Sequence, residues 1–174
     1  MTRLDFSIID PHIHQWDPYH TPHSAALLVK ALGKYPRVMD RVVRLVKPKP
    51  LLDSLGLTEY ALRPYLPEHY QADISPFSVE SVVHVEANWH HHKGFGVVEE
   101  TDWIQQLDFN AQGLKLGAIV ATADPRDRKF KDILKAHQQA SPLFRGIRKM
   151  AAWHQDKGIY RWCDQAHLYQ DKKF

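Results

Sequence analysis

Four short apolar runs punctuate the chain: Phe6–Asp10, Ser81–Ala87, Leu116–Ala121 and Leu143–Arg148. Each is rich in Ile and Val or bounded by turn residues. Each is also near-continuous rather than alternating, the pattern of parallel strands covered on both faces. Between the later runs the period changes. Glu99 to Asn110 carries Trp103, Ile104 and Leu107 at helical spacing, and Asp127 to Gln139 carries Phe130, Ile133, Leu134 and His137. Strand alternating with helix predicts an α/β protein built on a parallel sheet.

The first connection breaks this rhythm. Residues 15–80 form a long insertion, expected to be helical near 24–46 and 58–63, with proline breaks at 48–50, 64, 67 and 76. A connection of that length in a compact domain is usually functional, often a lid over a site. The last stretch, Ile159–Phe174, also reads as helix. Four βα units in succession correspond to the first half of a (β/α)8 barrel, whose usual length is about 250 residues. With no linker or repeat in the sequence, residues 1–174 are expected to form one incomplete barrel domain.

Composition alters this picture little. The chain has 174 residues, 44% hydrophobic and 25% charged, with one cysteine, Cys163, so no internal disulfide is expected. No apolar run approaches the ~18 residues of a membrane span, and no signal peptide opens the chain. A cytoplasmic protein without a membrane partner is the expectation. The net charge of +3 is concentrated between Lys30 and Lys49, where seven cations accompany only Asp40. Val38, Val42, Val43, Leu45 and Val46 lie among them at helical spacing, so the run reads as the solvated face of a helix rather than a nucleic-acid site. Among the 12 histidines, consecutive His90, His91 and His92 point in different directions and read as a polar loop.

The densest chemistry lies in Ile8-Ile9-Asp10-Pro11-His12-Ile13-His14. Side chains at i and i+2 share one face of a strand, so His12 and His14 project together while Ile9 and Ile13 face the other way. Two neutral imidazoles on one face suit a borderline-soft cation such as zinc. The alternative is a pair of structural or surface histidines.

The sequence Ile9-Asp10-Pro11-His12-Ile13-His14-Gln15-Trp16-Asp17-Pro18 is similar to the opening Asp-x-His-x-His-x-Trp-x-Pro of the amidohydrolase-2 branch of the amidohydrolase superfamily. Tyr65-Leu66-Pro67-Glu68-His69-Tyr70, Val83-His84-Val85-Glu86-Ala87 and Pro142-Leu143-Phe144-Arg145-Gly146-Ile147-Arg148 resemble later segments of that branch, in the same order. The resemblance implies a TIM-barrel hydrolase, lactonase-like, in which water attacks a lactone or related carbonyl. It implies His12 and His14 as ligands of a divalent metal, with zinc the expected ion, although some lactonases of the branch act without metal. It also implies an arginine in the pocket that meets a carboxylate-bearing small-molecule substrate.

Alternation along the second and fourth strands proposes two further site residues. With Val83, Val85 and Ala87 packed outward, His84 and Glu86 point inward, where Glu86 can ligate a metal or hold a ligand histidine. With Ile147 outward, Arg148 points inward, able to grip a carboxylate or developing oxyanion through paired hydrogen bonds. An ion pair with a barrel carboxylate is the alternative for Arg148, and solvent capping for Glu86. Arg145 has the opposite parity and reads as structural. Asp124-Pro125 reads as turn and cap chemistry, the five tryptophans as core or pocket wall, and Cys163 as an inert, partly buried thiol.

The later histidines and the terminal-strand aspartate of the family have no counterpart here; His154 and His167 lie outside any strand-end setting. The expectation is therefore a truncated hydrolase with a partial site. A non-catalytic half-barrel, acting through self-association or a protein partner, is the alternative.

Overall fold

The structure, a computed structural model, describes residues 6–22, 26–56, 60 and 62–174. Its centre is a sheet of four parallel strands in the order β1-β2-β3-β4: Ile8–Ile13, Val79–Val85, Lys115–Ala121 and Phe144–Ile147. The chain is thus α/β with neighbouring strands sequential. Three of the four strands coincide with the apolar runs to within a few residues. The first differs. It continues through Asp10-Pro11-His12 instead of ending there. β1 has a neighbour on one side only within the described sheet, and an edge position tolerates the missing N–H of Pro11.

The pairing of β1 with β2 slips between Asp10 and Ile13. That slip reverses the alternation expected for the isoleucines. Ile8 and Ile13 pack on the main core, whereas Ile9 is 63% exposed.

The insertion holds four described helices: α1 (Ala26–Leu32), α2 (Pro36–Val46), α3 (Lys49–Leu55) and α4 (Pro67–Ile74). The single stretch expected over 24–46 is broken at Gly33. A Cβ there would come 2.5 Å from the Val29 carbonyl oxygen and 2.8 Å from the Tyr19 hydroxyl, so only glycine fits the turn between α1 and α2. Two expected breaks are helix starts instead. Pro50 and Pro67 occupy the first turns of α3 and α4, where the fixed φ suits the helix and no N–H is needed. Of the helix expected near 58–63, residues 58, 59 and 61 lie outside the described residues, as do residues 24 and 25 of the stretch expected over 24–46.

Val29, Met39, Val43, Leu52 and Leu62 form a core belonging to the insertion alone. On α2 the apolar stripe expected to be buried is divided. Val43 is covered, joined by Met39, while Val38, Leu45 and Val46 are exposed.

A 3-10 turn at Gly94–Val97 leads into α5 (Val98–Gln105), and α6 (Phe130–Ala140) joins β3 to β4. The main core packs Val82 and Ile119 of the sheet against Ile104 of α5, with Phe109 and Leu114 from the following loop. The helix expected over Ile159–Phe174 is reduced to one 3-10 turn, Leu168–Gln170. In this segment Leu168 is the one fully buried side chain, too little apolar contact to stabilise a helix. Among the described residues no helix is long and apolar enough to cross a membrane.

Candidate active site

His12, His14, Glu86 and Arg148 all stand at the C-terminal ends of parallel strands, where open α/β sheets take their ligands. The slip in β1 does not separate the two histidines. Their Nε2 atoms face each other at 3.2 Å, with the rings edge to face. His14 Nδ1 lies 2.7 Å from the Val85 carbonyl oxygen. A carbonyl only accepts, so Nδ1 carries the proton and Nε2 of His14 presents its lone pair. His12 then donates its own Nε2–H into the pair.

Burial holds the pKa of His14 below that of a free histidine, against the raising effect of the Val85 bond; the charges of Arg148 and His12 add to the lowering. His14 is therefore neutral near neutral pH, the form in which imidazole ligates metals.

The distance itself bears on a metal. Two nitrogens bound to one tetrahedral zinc at about 2.05 Å stand roughly 3.3 Å apart, and the pair is found at 3.2 Å. The carbonyl bond to His14 is also the outer support that metal-bound histidines usually have. For the pair to ligate, His12 has only to move its proton from Nε2 to Nδ1. Among the described residues no set of three or more His, Cys, Asp and Glu side chains is gathered to hold an ion. The pair thus offers two ligands and leaves the other positions to solvent or substrate.

Glu86 is 7% exposed and meets Arg148. Arg148 Nε donates to Glu86 Oε1 at 2.8 Å, and Nη2 donates both to that oxygen and, at 2.8 Å, to the Glu86 backbone carbonyl. Of the two roles open to Arg148, the structure displays the ion pair. Nη1 has no hydrogen-bond partner among the described residues, and the Arg148 side chain keeps 30% of its surface exposed. Burial raises the pKa of Glu86, and outweighs the lowering effect of Arg148.

Strand alternation explains Glu86 less well than expected. Val82 packs with Ile104, and His84 lies 3.6 Å from Glu100 of α5, so these even-numbered positions face the helices. Glu86 follows the last strand residue, in a loop that reverses at Asn88 with φ 60°. Its position is fixed by Arg148 and by its own bond from the Asn88 N–H.

Other candidates resolve into structure. Asp124 accepts from the Arg126 N–H and guanidinium and from Lys149 Nζ at 3.1 Å, which depresses its pKa far below the usual carboxylate range. It closes a turn, but α6 starts later, at Phe130, so Asp124 does not cap the helix. His91 bonds Glu99 at 2.7 Å, and His90 and His92 are exposed beside it. Cys163 is half-buried, its thiol directed at the carbonyls of Ala151 and Gln165. Arg145 bonds the nearby carbonyls of Pro142 and Phe144, away from the site.

Two features escaped the sequence. Trp16 and Tyr65 exchange backbone hydrogen bonds of 3.1 and 2.8 Å and stack their rings at 5.2 Å. Gln15, 1% exposed, has its amide against the Tyr65 and Leu66 carbonyls. The returning arm of the insertion is thereby fastened to the residues directly after His14. The other feature is the buried His84–Glu100 pair, in which both ring nitrogens of His84 and one Glu100 oxygen have no hydrogen-bond partner. The Gln15-Trp16 pair inside the opening motif was the signal for the first; nothing in the sequence marks the second. No protein-family model, curated protein or solved structure matches the chain.

Proposed function

We propose that the chain is a hydrolase of the amidohydrolase-2 type, in which water attacks a lactone or related carbonyl beside His12 and His14. The observation that carries this reading is the facing pair of Nε2 atoms at 3.2 Å, at the end of a parallel strand and oriented by the Val85 carbonyl. The sheet of four sequential parallel strands agrees with the first four βα units of a (β/α)8 barrel. The insertion, fastened beside the histidines by Trp16 and Tyr65, is in place to act as a lid.

Each residue then has a task. Without a metal, His14, held neutral, presents on Nε2 the lone pair that can take up the proton the attacking water releases. Arg148 offers Nη1 to a substrate carboxylate or to the developing oxyanion. Glu86 keeps the guanidinium in one orientation. Zinc, held by the Nε2 atoms of His12 and His14, would polarise the carbonyl and lower the pKa of a bound water to about 7.

Assay of the purified chain, with and without zinc, against lactones that do and do not carry a carboxylate tests the reading. Hydrolysis is expected for the carboxylate-bearing members, and Arg148→Ala should raise KM for these by ~10-fold or more, the loss of a charge-assisted pair. Absence of turnover on every lactone in both conditions would contradict it. The second reading, a non-catalytic module working through self-association, is favoured by exposed Phe6, Ile9 and Phe77 near the β1 and β2 strands. Light scattering that finds a stable oligomer without any turnover would support that reading instead.

A further inference from the structure

The helix α2 carries more apolar surface than its core uses. Three sectors run along it. Met39 and Val43 face the core of the insertion. Val38, Val42, Leu45 and Val46 form a second apolar sector at helical spacing, and Leu45 is 84% and Val46 63% exposed. Arg37, Arg41 and Arg44 make the third, an exposed row at i, i+4 and i+7, directly beside Val38 and Leu45. Lys34 and Lys47 stand exposed just beyond the two ends of the helix, and Tyr35 precedes it, also exposed.

We propose that this face of α2 lies on an anionic lipid surface. Leu45, Val46 and Val38 would enter the boundary between headgroups and acyl chains, with the arginine row meeting the anionic headgroups alongside. Charge argues for this occupant. From Lys30 to Lys49 seven cations accompany the single acidic Asp40, which is itself bonded to Arg44. The cations are spread over the end of α1, the length of α2 and the start of α3. A plane of negative charge answers such a spread without any register, whereas an acidic protein partner would have to match it residue by residue. Nucleic acid is disfavoured because Tyr35 is the one aromatic within the run, leaving no platform for successive bases. That no helix among the described residues is long and apolar enough to cross a membrane does not bear on it, since a helix lying in the interface needs an apolar face and a cationic flank, not length.

Co-sedimentation of the full chain with vesicles of phosphatidylcholine, alone or mixed with phosphatidylserine, tests the proposal. The chain is expected to sediment with the mixed vesicles and not with phosphatidylcholine alone, and to be released by high salt. Each surface cation contributes about fivefold to partitioning, so Arg37→Glu with Arg41→Glu should weaken it by at least about 25-fold. Leu45→Glu with Val46→Glu should abolish it, and the milder Leu45→Ser should reduce it while leaving the circular dichroism unchanged. Failure to bind the mixed vesicles, or binding indifferent to all these variants, would overturn the proposal. Self-association in lipid-free solution that Leu45→Ser removes would also overturn it, by assigning the face to a second copy of the chain.

Discussion

At His14 and His137 the same side chain meets two kinds of burial. His137 is fully buried in α6. Its Nδ1 lies 2.8 Å from the Thr101 hydroxyl and its Nε2 3.2 Å from the Thr122 carbonyl oxygen, so both nitrogens are satisfied by a neutral ring. His14 satisfies one nitrogen through a carbonyl and turns the other to His12. Burial is the first cause of the lowered pKa in both. The sign of the linkage follows. Below a free-histidine pKa of about 6.5 the unfolded chain takes up a proton that these native rings refuse, so their stabilisation is present above that pH and is lost as pH falls. Glu86 has the opposite sign, because its pKa is raised: its contribution is present at low pH and fades as pH rises above the free-carboxyl value. Urea unfolding should therefore show a midpoint that drops between about pH 7.5 and pH 5.5, and His137→Gln should make that drop smaller. Equal pH dependence in the two proteins would show that His137 is not a neutral core histidine.

Among the elements, β3 leaves no room for a side chain at Gly117. A Cβ on Gly117 would collide with the Ser81 hydroxyl of β2 and lie 3.5 Å from the Val82 carbonyl oxygen. Gly117→Ala is expected to cost about 1–3 kcal/mol by overpacking against the Ser81 hydroxyl, and adding Ser81→Ala should recover most of that. A urea midpoint for Gly117→Ala equal to the parent's would refute this packing. The strands were legible because near-continuous apolar runs have few other uses in a chain of this composition. The end of β1 was not, since Pro11 reads as a stop unless its edge position is known. Likewise Pro50 and Pro67 break a helix or begin one depending on position, which spacing alone does not decide. The i, i+2 rule found the His12–His14 pair although the register of β1 slips between Asp10 and Ile13. The choice of which face points inward failed at His84, which shares the helix-facing side with Val82. The Trp16–Tyr65 bridge joins residues far apart in sequence, so the Gln15-Trp16 pair marked one side of it but not its partner.

For the whole molecule, the ends of the strands organise more than the candidate site. Arg126, in the loop after β3, binds Asp124 and reaches Gln165 Oε1 at 3.0 Å and Asp164 Oδ1 at 3.5 Å. Gln165 in turn donates to Asp171 at 3.1 Å. The irregular segment after β4 has little buried apolar surface; Arg148 and Lys149 hold its start, and this guanidinium ties down its later part around Asp164 and Gln165. Arg126→Ala should make tryptic cleavage at exposed Lys157 or Arg161 roughly tenfold faster, the effect of losing about 1.4 kcal/mol of local closure. Unchanged cleavage would mean that the segment is held by Leu168 and its neighbours instead. The same scale decides how the insertion acts: its own core makes it a separate packing unit, while the Trp16–Tyr65 bridge ties it to the strand that carries the histidines.

The account rests on His12 and His14 as one ligand pair, and equilibrium dialysis against zinc tests that most directly. The chain should bind one zinc ion, with release of protons and with affinity rising across the histidine titration range, and the double variant His12→Ala/His14→Ala should lose that ion. Zinc content unchanged in the double variant would contradict the claim and return the pair to structural histidines.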